Sequence, residues 1–179
     1  MTKRPETRRW WWRPFRLHRD KRGSVAAEFA LLAFPLFMLI VGVVEIGVML
    51  IQSVMLHGAL EEGARKLRTG QVYQSASPWQ EFTDTVCGEM LFMMSCDDLK
   101  YDVRHYHNYE SLDLAPVPLG DDGMPSSPVF SPGDAGTITV ARLYARYEFI
   151  TPLIGHFFED THNSRLIQYT VVVKGEPWT

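Results

Sequence analysis

The polarity of this chain changes character several times along its length. Phe29 to Ile51 is an apolar run of 23 residues with one charge, Glu45. As a helix rising 1.5 Å per residue it would measure about 35 Å, enough to cross a bilayer core of about 30 Å. Past Ile51 the pattern turns amphipathic, and Leu56, Leu60, Ala64 and Leu67 form one stripe at helical spacing. Together these stretches predict a single helix from Ser24 to about Thr69. Arg65, Lys66 and Arg68 suit its negative end and Gly70 its stop. Pro35 leaves the carbonyl of Leu31 without its donor, which predicts a kink or local unwinding. Gly42 and Gly47 expose backbone on the helix surface, but they are five residues apart rather than the four of a small-residue dimer motif. Glu61–Arg65 and Glu62–Lys66 stand four apart in the favourable acid-first order, each worth a few tenths of a kcal/mol. The leucine stripe needs a partner, either this chain's own domain or a neighbouring subunit.

Ser77-Pro78-Trp79-Gln80 reads as a second helix start, with serine as cap, proline at the first helical position and Gln80 placed to close a capping box. Trp79, Phe82, Val86 and Met90 follow at spacings of three and four and predict a core-facing, Met-rich side. Three stretches alternate as strands: Leu99 to Tyr106, Thr137 to Ile150 and Arg165 to Lys174. In the second, Leu143, Ala145, Tyr147 and Phe149 share a face; in the third, Ile167, Tyr169, Val171 and Val173 do. No crossover helix is predicted between them, so pairing should be mostly antiparallel. Between Asp113 and Gly136 lie Pro116, Pro118, Pro125, Pro128, Pro132 and four glycines, which predict a long loop without regular structure, either functional or mobile. The fold class is α+β: a long N-terminal helix, then a small helix and a mostly antiparallel sheet. The segments are 1–23, a basic leader; 24–70, the spanning and amphipathic helix; and 71–179, the α+β domain with its Pro/Gly-rich loop at 113–136.

Charge adds a topology. The first 22 residues carry nine basic and two acidic side chains, about +7, and the chain total of −3 leaves −10 for residues 23–179. Basic residues flanking a span stay in the cytoplasm, which puts the N-terminus inside and the C-terminal domain outside. Trp10, Trp11 and Trp12 suit the headgroup region, and the arginines favour anionic lipid. A short Arg-rich flank beside a span is a topology signal before it is a nucleic-acid site, so the lipid bilayer is the expected partner. The apolar run is too long for a cleaved secretory signal, and no Ala-x-Ala site closes it.

Candidate chemistry is sparse. Cys87 and Cys96 are the only cysteines. On a straight helix they would lie roughly 13 Å apart, too far to bond, so pairing requires the helix to break near Met94 or Ser95 and fold back. An oxidising compartment would favour that bond. His105 and His107 share a strand face but lack further metal ligands, Asp97-Asp98 and Asp121-Asp122 read as solvated turns, and no catalytic constellation or phosphate loop is present. No enzyme, cofactor or metal is expected. Glu45, late in the span, either reaches the outer interface or faces another helix. Glu28 follows Gly23 by five residues; were the chain cut after Gly23, the new amine of Ser24 would lie about one turn from this carboxylate. Pairing with the amine of a neighbouring subunit would then fix axial register.

Basic residues, Gly23, four residues, then Glu28-Phe29 and an apolar helix resemble a type IV prepilin-type signal of the Tad/Flp branch. The wider pattern, "AAEFALLAFPLFMLIVGVVEIGVML", "GALEEGARKLRTG", the Cys87/Cys96 pair and the closing "VVVKGEP", resembles the TadE-like pseudopilins. That resemblance implies cleavage between Gly23 and Ser24 by a prepilin peptidase, with Glu28 as assembly carboxylate and Phe29 as the aromatic of the processing motif. It further implies a bacterial inner-membrane location with a periplasmic domain. The implied partners are other Tad pilins or pseudopilins and an inner-membrane assembly platform, and the implied role is that of a minor component in pilus biogenesis and adhesion. The rival expectation is an uncut, membrane-anchored periplasmic binding or sensor protein.

Overall fold

The computed structural model describes residues 22–90, 94–161 and 163–178. The basic leader up to Lys21 and its three tryptophans lie outside the described residues. The chain divides into two compact units, Met1–Leu39 and Ile40–Thr179.

Helix α1 spans Arg22–Arg68 and runs through Pro35 without a break in its helical backbone. Residues 23–32 are all exposed, as are most from there to Val44, and they are almost all apolar. From Gly42 onward a buried stripe appears at steps of three and four: Gly42, Glu45, then Leu56, Ala59, Leu60, Gly63, Ala64 and Leu67. The predicted stripe therefore begins well inside the apolar run, where uniform hydrophobicity hides any period. The helix is long and apolar enough to cross a membrane. Its end follows the expected chemistry: the Gly70 N–H donates to the Leu67 carbonyl, and Gly70 takes a left-handed φ of 75°. The ring of Trp178 packs where a Cβ at Gly70 would stand.

The partner of the leucine stripe is the chain's own domain. Leu56, Leu60 and Leu67 join one core with Val72, Phe82, Val86 and Leu99, and with Tyr101, Val103, Leu143, Ala145 and Tyr147 of the sheet. Each fully buried leucine contributes about 1.5–3 kcal/mol. Helix α2, Pro78–Gly88, starts as predicted, with Ser77 Oγ accepting the Gln80 N–H. The reciprocal half of the capping box differs: the Ser77 N–H donates to Ser75 Oγ. Gly63 allows α2 close to α1, since a Cβ there would stand 2.8 Å from Phe82 and Val86. The surface pairs also differ from those expected. Arg65 meets Glu62, Lys66 reaches across to Glu81 on α2 at 2.7 Å, and Glu61 meets His57. Helical neighbours at three and four are nearly equivalent, and a tertiary partner settles the choice. The Arg65 hydrogen bond holds the Glu62 carboxyl below its ordinary range.

The sheet is four-stranded, in the order β2-β1-β3-β4, with β1 at Lys100–Tyr106, β2 at Phe130–Ser131, β3 at Ile138–Glu148 and β4 at Ser164–Lys174. β3 pairs antiparallel with both β1 and β4. The two-residue β2 pairs parallel with β1, so the Pro-rich loop does yield one short regular element. Alternation sends Tyr101, Val103, Leu143, Ala145, Ile167 and Tyr169 toward the helices. The opposite face is covered by the 113–136 loop, whose Val117 and Met124 form a second small core with Tyr144 and Leu166. That loop sets Val117 and Met124 against the sheet, while most of its other residues stay exposed.

Cys87 and Cys96 are bonded, with Cα atoms 5.8 Å apart. The turn back comes earlier than expected: α2 already ends at Gly88, and the chain returns through a short 3-10 turn at Cys96–Asp98. With the two cysteines nine positions apart in sequence, closing this loop should contribute about 2.5 kcal/mol. Reduction of the detergent-solubilised chain should lower its urea midpoint accordingly; an unchanged midpoint would remove that contribution.

Candidate functional site: the helix start and the Glu45 clamp

Two carboxylates in the apolar helix were singled out by sequence, and they occupy unlike surroundings. At the start of α1 the Ser24 hydroxyl donates to Glu28 Oε1 at 2.8 Å, and both side chains are exposed. Phe29 is 70% exposed beside them, with Leu31, Leu32 and Phe34 equally open. A Cβ at Gly23 would meet nothing within 4 Å. This segment carries an apolar surface that nothing in its own unit covers, with one carboxylate reaching back one turn to the side chain of residue 24.

Glu45 turns into the chain's own domain, at the start of a further helix. It is only 4% exposed. Its Oε1 accepts the Ile150 N–H at 2.5 Å and the Thr151 N–H at 3.1 Å, and Oε2 lies 3.2 Å from the same Thr151 nitrogen. The Tyr147 hydroxyl donates to the Glu45 carbonyl at 3.4 Å. Burial pushes the Tyr147 hydroxyl pKa upward, and the nearby Glu45 charge adds to that. Thr151 caps helix α3, Pro152–Phe158, with no side-chain cap bond of its own. Glu45 thus supplies from α1 the negative group that a helix start favours. The α3 corner is fixed from the other side as well. Asn163 Nδ2 donates to the Phe149 carbonyl at 2.8 Å, and Asn163 Oδ1 occupies the place a Cβ at Gly155 would take. Ile154 packs on Gly42, whose Cβ would lie 3.2 Å from Cδ1.

A second polar centre was not anticipated. Asp102 on β1 is wholly buried and accepts from Arg142 Nη1 at 2.9 Å, Arg104 Nε at 3.0 Å and the Val129 N–H at 3.1 Å. Arg142 in turn donates through Nη2 to the Asp113 carbonyl at 2.7 Å. The pair therefore ties down both ends of the Pro-rich loop. Both residues fall on the polar phase of strand alternation and read as solvent-facing until the loop covers them. The only available signal was cross-strand register, which sets Asp102 opposite Arg142.

The remaining candidates stay modest. His105 and His107 have ring centroids 5.7 Å apart, and His105 Nδ1 lies 3.1 Å from the Ser131 carbonyl. Among the described residues no group of three His, Cys, Asp or Glu side chains is placed to hold a metal. Asp122 Oδ1 accepts the Met124 N–H at 3.0 Å, a turn contact.

Among the described residues one helix, α1, is long and apolar enough to cross a membrane, which fits single-pass anchoring of the disulfide-bonded α+β domain. The comparison with known families agrees: residues 23–65 match the family model for TadE-like protein, a family of structural pilus components rather than enzymes. The match bears out the resemblance over most of α1, while Cys87, Cys96 and the closing "VVVKGEP" lie outside it. No curated protein and no solved structure matches the chain. The TadE-like segment and the apolar helix fit a membrane protein associated with the Tad pilus.

Proposed function

We propose that this chain is a minor pseudopilin of a Tad pilus-assembly and secretion system, with a structural role in pilus biogenesis and adhesion. It sits in the bacterial inner membrane with its N-terminus cytoplasmic and its C-terminal domain periplasmic. A prepilin peptidase removes the leader between Gly23 and Ser24. Other Tad pilins and the membrane assembly platform are its partners.

The observation that carries this reading is the Glu28 carboxylate on the exposed apolar start of α1, within reach of position 24. Cutting after Gly23 turns Ser24 into an ammonium group at the membrane surface. A carboxylate held in lipid is costly unless paired, so an ammonium on a neighbouring subunit is a strong partner for Glu28. Packing side by side would then lock the axial register of the helices, with Phe29 and its apolar neighbours filling the contact. Co-expression with the peptidase, followed by intact-mass measurement of the membrane-extracted protein, should show the loss of 23 residues. Glu28→Ala should leave that cut unchanged and abolish or strongly reduce piliation. A chain that keeps its full mass would favour the uncut, membrane-anchored binding or sensor protein instead. Normal piliation in Glu28→Ala would remove the assembly role of this carboxylate.

A further inference from the structure

The corner between β3 and β4 carries an apolar surface that packing within the domain does not use. Ile150 is 79% exposed and Phe157 75%, with Leu153 and Phe158 also open. Four large apolar side chains within nine residues are not needed for the fold, which holds this corner through Glu45, Asn163 and Gly155 instead. Four exposed apolar side chains so close in sequence, on a well-fixed segment, mark an interaction surface.

Its position identifies the occupant. Ile154 rests on Gly42, and Glu45 grips the backbone at Ile150 and Thr151. Around that contact α1 presents Ile40, Val41, Val43 and Val44, all exposed. The exposed apolar side chains of the corner therefore lie beside the apolar stretch of the helix that would enter the bilayer. Gly42 also lies nine residues before Ile51, about 14 Å along the helix. Were the hydrocarbon to reach Ile51, the corner with its exposed Glu159 and Asp160 would be sunk in lipid, which charged groups and irregular backbone do not tolerate. Residues 23–44 alone would measure about 33 Å, already a full span.

We propose that the Ile150–Phe158 corner is a membrane foot. The outer hydrocarbon boundary lies near Gly42–Glu45, and Ile150, Leu153, Phe157 and Phe158 enter the lipid at that boundary. The foot rests on the reading that α1 spans a bilayer. A short apolar segment held in the interface plane adds buried area to the anchor and sets the domain's height above the lipid. The Glu45 clamp then has a second consequence, since it fixes the foot at one level of the spanning helix.

The test uses the full chain in lipid nanodiscs. Cys87 and Cys96 are bonded to each other, so single cysteines can be added and labelled with an environment-sensitive fluorophore under non-reducing conditions. Phe157→Cys probes the foot, Leu36→Cys probes the span, and Ala135→Cys probes the far end of the domain. Lipids carrying a quencher high on the acyl chain should quench the labels at 157 and 36 at least about twofold and spare 135, because interfacial side chains lie about 5–10 Å into the boundary. Leu153→Cys supplies a second readout should the substitution at 157 disturb folding. Quenching at 36 with none at 157 or 153 would leave the span intact and overturn the foot, assigning the patch to a protein partner. No quenching at 36 would overturn the span and the foot together.

Discussion

Asp102→Ala is expected to cost about 3–5 kcal/mol, the largest loss from any single side chain in the domain. The carboxylate is fully buried and receives two guanidinium groups and the Val129 N–H. Its removal strands the Arg142 charge inside the protein, where desolvation is not offset by any other acid in contact with it. The Asp102–Arg142 pair itself need not be stabilising relative to an apolar pair; the cost lies in breaking half of it. Asp102→Leu combined with Arg142→Leu should therefore recover part of the loss. Recovery would be incomplete, because the Val129 N–H and the Asp113 carbonyl would lose their partners. Urea unfolding of the detergent-solubilised chain measures all three. Hydrogen exchange should rise first between residues 114 and 128, the loop whose ends this pair holds. A loss below about 1 kcal/mol for Asp102→Ala would mean that water or a shifted side chain satisfies Arg142 and that the loop is held by its apolar contacts alone.

Glu45→Ala comes next, at about 3 kcal/mol, since two backbone N–H groups at Ile150 and Thr151 lose a charged acceptor in a buried place. Glu45→Gln keeps an oxygen acceptor on the same stem and should return most of that loss. The contrast separates the clamp from a purely electrostatic role in the membrane, for which Gln would be as harmful as Ala. Exchange at residues 150–158 should accelerate in the alanine variant while the amides of β3 stay protected. Equal stability of Glu45→Ala and the parent would show that the clamp is dispensable.

Much of the architecture follows from local pattern. The long helix, its stop at Gly70, the Ser77 cap with Pro78, and the three long strands all lie close to where periodicity and capping chemistry put them. These features are legible because each depends on neighbours within a few residues. The leucine stripe was legible too, though not what covers it. Apart from the two-residue β2, the 113–136 segment forms no strand, and its packing on the sheet arises from Val117 and Met124 meeting Tyr144 and Leu166. Nothing in its composition specifies that contact.

The carboxylates draw the line most sharply. That Glu28 and Glu45 are exceptional follows from the chain alone, because a charge in an apolar run of spanning length demands a partner. Which partner each finds does not. Glu45 meets backbone more than a hundred residues away, and Asp102 and Arg142 are forty apart and on the polar phase of their strands. Local pattern sets how each element forms and which face is apolar. Pairing across such separations depends on how the elements pack, and that information resides in no single stretch of the chain.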